Sequence, residues 1–359
     1  MNGRTVMHRL LAASVIAFLA LALAPAVPVG AASPNPLAGR WGLYTGAWDR
    51  TYPAYRHAHG RQKRLFAKVA LRPHAAWFAN PDLDKLRDNL SEYIRNSQHG
   101  DPNALVQFAL FHQWPRGEGA RRTPMTQQEQ AAYRTWIDTA VRTIGSTRAM
   151  VILEPDLALD APSGHTIDRG VRLSLVRYAA QRLSTLPRTT VYLEVGAPDW
   201  LAVPTATRLL LDAGVGYTRG FAVGGTHHTS VGADVNYATR IVAQLARSGY
   251  PDKHAVLDTA DNGRPFTYQQ AARKYPRSRF HDLGICRTRH ERRCVTLGIP
   301  PTAHVTGHRR ALHLTRRQDA RLAAVVDAFV WLGRPWRGNG GSTFAPRRLL
   351  QAARTTPFR

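Results

Sequence analysis

Five acidic residues stand at or just after the ends of three apolar stretches of the sequence. Glu154 and Asp156 follow AMVIL, Glu194 ends TTVYLE, and Asp258 and Asp261 follow HAVL. Two carboxyl groups at one site can hydrolyse a bond, because one donates a proton to the leaving group while the other activates water. We therefore take these residues as candidate catalytic groups. The alternative is that they pair with the abundant arginines or cap helices.

The elements that would position these acids alternate between apolar and amphipathic stretches. Predicted strands cover residues 104–111, 149–155, 189–196, 219–225, 254–260 and 325–332, and predicted helices cover 81–96, 126–144, 168–184, 205–214 and 230–247. This pattern is typical of a parallel sheet covered on both faces, and it predicts one α/β domain, open or closed into a barrel. Functional groups gather at the carboxyl ends of such strands. Glu154 and Asp156, two residues apart, are expected to point to the same side.

The N-terminal residues are typical of an export signal. Arg4 and Arg9 precede the apolar run LLAASVIAFLALALA, and the small residues of VPVGAAS offer cleavage after Ala31 or Ala32. We predict a signal peptide over residues 1–32 and a single domain over residues 33–359. The mature protein is expected to be secreted, released or held at the cell wall, without a membrane span, because no later stretch has the roughly 18 apolar residues that a span needs.

The cysteines and the net charge limit which partners the protein can have. Cys286 and Cys294 enclose the basic segment RTRHERR, which in an exported protein predicts a local disulfide rather than a zinc site. The chain carries 49 Lys and Arg against 24 Asp and Glu, a net charge of +25. This charge favours anionic partners such as an anionic cell-wall polymer. We do not expect nucleic-acid binding, because no recognition-helix, RRM or zinc-finger pattern is present. The pair His227 and His228 is expected to be solvated.

Seven motifs, in order along most of the mature chain, resemble those of glycoside hydrolase family 6, the inverting β-1,4-glucanases and cellobiohydrolases. They are NPLAG, AWF, AAYRTWID with VILEPDLAL, VYLEVGAPDWL, RGFAVGGTHH, VLDTADNG and DAFVWLGRPWRGNGG. The resemblance implies a distorted parallel β/α barrel that hydrolyses polysaccharide glycosidic bonds with inversion. It also implies a β-glucan substrate, a monomeric protein and no metal or organic cofactor.

The resemblance also implies roles for single residues. Asp156 corresponds to the family's proton donor, and Glu194 stands where the family has an Asp. Trp77 and Trp200 correspond to sugar platforms, a role that suits aromatic rings because a pyranose presents apolar C–H groups to them. Arg334, or the glycine before it, corresponds to a Lys of the last motif.

Two departures from the family pattern affect the chemistry. Trp114 corresponds to an Asp that tunes the donor, and Asn339 corresponds to the proposed base, although an amide cannot take a proton from water. We predict Trp114, Asn339 and Arg334 as substrate contacts. Asp261, an acid where the family has Arg, is predicted to be a relocated base, with Glu118 as a second candidate. The alternative function is a catalytically impaired protein that binds a glycan or an anionic cell-wall polymer.

Overall fold

A curled sheet of seven parallel strands lies at the centre of the computed structural model, which describes residues 34–225, 227–274, 283–338 and 343–358. The strands pair in chain order, each with the next. They are β1 (Ala76–Phe78), β2 (Val106–Leu110), β3 (Ala149–Leu153), β4 (Thr189–Glu194), β5 (Gly220–Val223), β6 (His254–Asp258) and β7 (Val326–Val330). This arrangement confirms the predicted distorted parallel β/α barrel.

Helices connect the strands and cover the outside of the sheet. They are α1 (Thr51–His57), α2 (Gly60–Ala70), α3 (Leu83–Gln98), α4 (Gln127–Ile144), α5 (Arg169–Ser184), α6 (Val203–Asp212), α7 (Val231–Arg247), α8 (Tyr268–Lys274), α9 (Arg316–Val325) and α10 (Pro346–Thr355). A short antiparallel pair, β8 (Arg337–Gly338) and β9 (Thr343–Phe344), precedes α10. The six predicted strands and five predicted helices are confirmed with shifts of a few residues at their ends. The strand β1 and the helices α1, α2, α8, α9 and α10 were not predicted.

Several helices begin where the sequence offers a capping side chain. Thr126 and Glu129 form a capping box at the start of α4, and Thr315 and Gln318 form another at α9. Such boxes satisfy amide groups that the first helical turn leaves unpaired. Ser230 caps α7 by accepting the N–H of Ala233. The boundaries of these helices are therefore encoded locally.

Alternate residues of the strands divide the core into two layers. One set packs against the helices, and the other fills the concave inside of the curled sheet: Ala109, Met150, Ile152, Tyr192, Ala222, Val256, Ala328 and Val330. Because side chains alternate along a strand, Glu194 follows Tyr192 to the inside and Asp258 follows Val256 to the inside. The two acids thus stand at the carboxyl ends of β4 and β6, directly above an apolar interior.

The segment before β1 contacts the segment after β7. The N–H of Ala75, just before β1, donates to the carbonyl oxygen of Trp331, just after β7, at 2.9 Å. The indole Nε1 of Trp77 donates to the carbonyl oxygen of Leu332, also at 2.9 Å. These bonds bring the segment after β7 beside Trp77.

The predicted disulfide between Cys286 and Cys294 is present. Asn35–Arg359 forms one compact unit. Residues 1–33 lie outside the described part of the chain, so the signal peptide and secretion stay predictions. None of the helices described in the structure is long and apolar enough to cross a membrane.

Candidate active site

Glu154 and Asp156 belong to different environments, so the prediction that they share one side is wrong. β3 ends at Leu153, and both acids adopt left-handed backbone conformations, with φ of 50° and 68°. Alternation of side chains applies only to extended strand, and two left-handed residues on either side of Pro155 redirect the chain. The geometry of the turn, rather than the spacing of the acids, decides where each carboxyl lies.

The Glu154 carboxyl is a structural anchor on the helix side of the sheet. It is completely buried and accepts hydrogen bonds from the N–H groups of His112 and Gln113 and from the Tyr133 hydroxyl, the last at 2.8 Å. Burial raises the pKa of Glu154 to about 7, against the lowering effect of these bonds. Glu154 therefore fixes the segment that follows β2.

Asp156 lies beside Glu194 at the neighbouring strand end. The N–H of Asp156 donates to Oε2 of Glu194 at 3.2 Å, while Oε1 of Glu194 accepts the N–H of Gly196 at 2.7 Å. Burial raises the pKa of Glu194 to about 8, and the charges of Asp156 and Asp258 add to the increase. Glu194 is therefore mostly protonated at neutral pH, next to the half-buried Asp156.

Asp258 ties the ends of β6 and β7 together. Its carboxylate accepts the N–H groups of Ala260, Leu332 and Gly333 at 2.9, 3.1 and 2.6 Å. Burial raises its pKa well above the ordinary value, and the charge of Asp261 contributes. A side chain at position 333 would meet both carboxylates, at 3.0 Å from Asp258 and 3.1 Å from Asp261, which explains the glycine there.

Asp261 pairs with a buried histidine. Nδ1 of His228 lies 3.1 Å from Oδ1 of Asp261, and His228 is only 4% exposed. The ring of His228 also packs against Phe266, with centroids 4.8 Å apart. The prediction of solvated histidines is therefore wrong, because the segment after β5 turns inward instead of continuing as a strand at the surface.

The second histidine forms a separate pair with Asp199, which sequence reasoning missed. Nδ1 of His227 lies 2.7 Å from Oδ1 of Asp199, whose other oxygen accepts the N–H of Tyr268 at 2.6 Å. Burial alone would raise the pKa of Asp199, but the bond and charge of His227 outweigh it, and the pKa is lowered. Trp200 stacks on His227 with centroids 4.9 Å apart. The adjacent Asp199 and Trp200 in the loop after β4 were the available signal.

Trp77, the middle residue of β1, forms a cation–π pair with Arg334. The Arg334 guanidinium carbon lies 4.3 Å from the centroid of the Trp77 ring, and Phe111 meets the same ring edge-on. Burial and the neighbouring Arg337 lower the pKa of Arg334, while the negative charge of Asp156 raises it. An arginine stays a cation at neutral pH. Arg334 thus stacks on the tryptophan within range of the negative charge of Asp156.

Trp114 does not line this group of residues as predicted. It is 7% exposed, and the Arg172 guanidinium lies over its ring at 4.4 Å. Arg172 is itself buried and pairs with Asp168 at 2.7 Å, which holds the cation in place. A cation–π contact is stronger when it is shielded from water, so we interpret Trp114 as a packing residue.

Asn339 lies outside the described residues. Glu118 is exposed in a short 3-10 helix.

The described residues therefore bring together Asp156, Glu194, Asp258 and Asp261 with Arg334 and Trp77. Glu194 and Asp258 are fully or almost fully buried, whereas Asp156 and Asp261 keep partial exposure. Within the described part of the chain, no group of three or more His, Cys, Asp or Glu residues could hold a metal ion. Two partly exposed carboxyls above two buried ones can exchange protons with a ligand at the strand ends.

Comparison with known proteins identifies relatives for this arrangement. Endoglucanase A of Cellulomonas fimi is 29% identical over 232 residues, which are 64% of this chain and 48% of that protein. Endoglucanase 1 of Streptomyces halstedii is 27% identical over 251 residues, 68% of this chain and 76% of that protein. The chain thus spans about half the length of the first relative.

Solved structures share the fold. The endoglucanase Cel6 of Mycobacterium tuberculosis, in complex with methyl-cellobiosyl-4-deoxy-4-thio-β-D-cellobioside, matches with a TM-score of 0.67 and 24% identity, over 89% of this chain and 98% of that chain. The catalytic domain of Cellulomonas fimi Cel6B matches with a TM-score of 0.61 and 16% identity, over 90% of each chain. The model of glycosyl hydrolases family 6 matches residues 43–304. Because this match spans most of the chain, the protein belongs to glycosyl hydrolases family 6.

Proposed function

We propose that the protein is a secreted glycoside hydrolase that cleaves β-1,4-glucan with inversion and uses Asp156 as its proton donor. The observation that carries the proposal is the position of Asp156. It follows β3 in a left-handed turn, its N–H is held by Glu194, and its carboxyl keeps partial exposure in a fold of the glycosidase family. The curated relatives are named endoglucanases.

The donor step follows from this placement. The Asp156 carboxyl gives its proton to the glycosidic oxygen as the bond from that oxygen to the anomeric carbon breaks. Glu194, with its pKa raised to about 8 by burial and by Asp156, carries a proton beside the donor at neutral pH. We propose that Glu194 keeps Asp156 supplied with a proton between turnovers.

The water that replaces the leaving group needs a base, and Asp261 supports that role. It is partly exposed, and His228 holds one of its oxygens at 3.1 Å, which leaves the other oxygen for a water. Water attacks the anomeric carbon from the face opposite the leaving group and passes its proton to Asp261. His228 acts as a positioning residue. An inverting reaction needs roughly 6.5–9.5 Å between donor and base carboxyls, so that a water fits.

Aromatic and cationic groups would bind the sugar chain. Trp77 lies within β1 and Trp200 lies in the loop after β4, and pyranose rings stack on such indoles through their C–H faces. Arg334, stacked on Trp77, can donate hydrogen bonds to sugar hydroxyls. Export by the N-terminal segment and a monomeric state complete the proposal.

The test uses the full mature chain and a soluble β-1,4-glucan. Asp156→Asn and Asp261→Asn are each expected to lower the rate of reducing-sugar release by about 10²–10⁴, the usual worth of general acid or base catalysis. Glu118→Gln, which changes an exposed acid, is the matched control and should leave the rate unchanged. The first product should have the α configuration, because inversion of a β-linkage yields the α anomer.

Different outcomes separate the parts of the proposal. Unchanged release by Asp156→Asn would refute its role as the donor. A normal rate for Asp261→Asn with a reduced rate for Glu118→Gln would move the base to the exposed acid. Retention of the glucan by wild type, without release of sugar, would replace the hydrolase with the glycan-binding alternative.

A further inference from the structure

A pocket lined in part by arginine side chains lies beside the segment that carries Asp261. Its volume is about 440 Å³, and its lining includes Arg264, Arg292, Arg293 and His313. Asn262, the residue after Asp261, also lines it. No acidic side chain occurs among the described residues of the lining. The pocket is therefore a positively charged site beside the candidate active site and distinct from its carboxylates.

The disulfide loop presents two of these arginines. Arg292 and Arg293 precede Cys294, and Lys274 donates to both of their carbonyl oxygens at 3.1 Å. Arg293 has a left-handed backbone conformation with φ of 58°, which an ordinary loop would not favour. Glu291 bonds to Lys274 at 3.1 Å. The nearest acid of the loop is thus engaged in holding the loop itself.

The guanidinium groups are available to a ligand. Arg292 and Arg293 are exposed, and neither forms an ion pair with a carboxylate in the described ranges. Arg264 is oriented by a hydrogen bond to the carbonyl oxygen of Arg289, and its Nε is buried without a partner among the residues described. A buried donor without a partner is costly unless a ligand or solvent satisfies it.

The rest of the lining is apolar or comes from a helix end. Val231, Leu312 and Phe358 contribute apolar surface, and Ser230 with Val231 begins the 17-residue helix α7. The free N–H groups at the start of a helix favour anions, which adds to the effect of the arginines. An apolar wall beside such cations also suits the C–H face of a sugar ring.

We infer that this pocket binds an oxyanion group, a carboxylate or a phosphate ester, carried by an anionic polysaccharide. The planar fork of arginine matches such groups with two parallel hydrogen bonds. The net charge of +25 attracts polyanions in general, and the pocket provides a defined place for one group. The choice of a polysaccharide rests on the proposed function, because the pocket adjoins Asp261. Binding there would hold the enzyme on the polymer next to the cleft.

The experiment compares two double variants that lose the same charge. Arg292→Ala with Arg293→Ala alters the pocket, whereas Arg61→Ala with Arg64→Ala alters two exposed arginines of α2 that do not line it. Binding of the full mature chain to polygalacturonate is measured by calorimetry at about 0.15 M salt, where long-range attraction is screened. We expect about tenfold weaker binding for the pocket variant and less than about twofold for the control. Thermal unfolding checks that both variants are folded.

Further arms identify the ligand chemistry. Replacing Arg292 and Arg293 with lysine keeps the charge and removes the planar fork, so binding should fall between that of the wild type and that of the alanine variant. Binding of a phosphorylated dextran tests whether a phosphate ester can supply the oxyanion. Binding of the neutral polymer hydroxyethyl cellulose should be the same for the wild type and all the pocket variants. Equal losses in the pocket and control variants would overturn the inference. The inference would also be overturned, in favour of nucleic acid, if the pocket variant bound a DNA duplex more weakly but bound the anionic polysaccharides as the wild type does.

Hydrolysis of hydroxyethyl cellulose by the same variants separates this inference from the proposed function. The pocket variants should keep the wild-type rate on this neutral polymer, because none of the altered residues is in the catalytic group. If the wild type does not hydrolyse β-glucan but its polyanion binding depends on the pocket, the anion site stands and the hydrolase fails. If the wild type hydrolyses β-glucan and the pocket variants bind the polyanion as tightly as the wild type, only this inference fails.

Discussion

The backbone N–H of Asp156 donates to Oε2 of Glu194 across a distance of 3.2 Å, so the turn after β3 is tied directly to the carboxyl group at the end of β4. Glu194 is completely buried, whereas Asp156 keeps partial exposure. The buried acid therefore responds to the charge of the exposed one, and its pKa is raised to about 8 by burial first and by Asp156 second.

This link predicts an alkaline limit on activity. Glu194 is protonated below pH 8 and ionised above it, so a role for its proton requires activity that is full below about pH 8 and lost above it. Glu194→Gln removes this titration and should shift the limb to the one set by the donor itself, with a lower plateau because the amide nitrogen cannot accept an N–H. The measurement is kcat/KM for a soluble β-glucan from about pH 5 to 10. An alkaline limb that persists unchanged in the variant would exclude Glu194 as its source.

A second prediction concerns the ring of Trp77. Removing it by Trp77→Ala should raise the KM for cello-oligosaccharides about tenfold, because a stacked aromatic contact contributes on the order of 1 kcal/mol or more beyond burial. Trp77→Phe keeps an aromatic face but loses the bond to Leu332, so its KM should rise less. Trp48→Ala is the control, because Trp48 is partly exposed and stacks on Phe78, which faces the helix layer. A similar rise in KM for Trp48→Ala would show that aromatic packing, not sugar contact, is measured.

The strands were predictable because their burial leaves a direct trace in the sequence. A parallel strand covered on both faces is mostly apolar, and β2 and β3 are buried at every position, with Gln107 the one polar residue among them. β1 is only three residues long, too short for a pattern. α9 is rich in arginine and buries only Leu322, so little apolar period marks it, whereas α10 does bury an apolar stripe that contains Leu349, Ala352 and Ala353. The positions of β1 and α9 depend on tertiary contacts rather than on a local sequence pattern.

The candidate site was predictable in its location but not in its detail. Asp156, Glu194 and Asp261 do lie near strand ends, as the rule for parallel sheets requires. The opposite environments of Glu154 and Asp156 depend on two left-handed residues, which spacing along the sequence does not reveal. The pairs His228 with Asp261 and His227 with Asp199 bring together separate loops. Such long-range pairs are fixed by the fold and not by a local pattern.

A third prediction is that stability falls as the pH rises from about 4.5 to 8. Burial raises the pKa of Glu154 and Asp160 to about 7 and that of Glu194 and Asp234 to about 8. In the unfolded chain these acids ionise near pH 4, so across this window the native state binds more protons. The free energy of unfolding must then decrease with pH, by several kcal/mol in total. Below about pH 4 the trend reverses, because Asp49, Asp199 and Asp327 have lowered pKa values.

Urea unfolding at about pH 5 and pH 7.5 measures this trend. The unfolding midpoint should be higher at the lower pH. Asp234→Asn removes one of the four titrations while Oδ1 can still accept from Thr229, so the variant should show a smaller difference between the two midpoints. Equal midpoints for wild type at the two pH values would contradict the prediction. If the two midpoints of the variant differ as much as those of the wild type, Asp234 does not contribute to the pH dependence of stability.

The last prediction concerns the disulfide between Cys286 and Cys294, which are eight positions apart. Closing such a short loop restricts the unfolded chain, and the loop-entropy relation gives about 2.5 kcal/mol of stabilisation. Replacing both cysteines with alanine should lower the free energy of unfolding by about this amount. Polygalacturonate binding should weaken too, because Arg292 and Arg293 lose a fixed loop. Wild type treated with a reductant should match the variant in both measurements. A stable variant with full polyanion binding would show that Lys274 and Glu291 hold the loop without the disulfide.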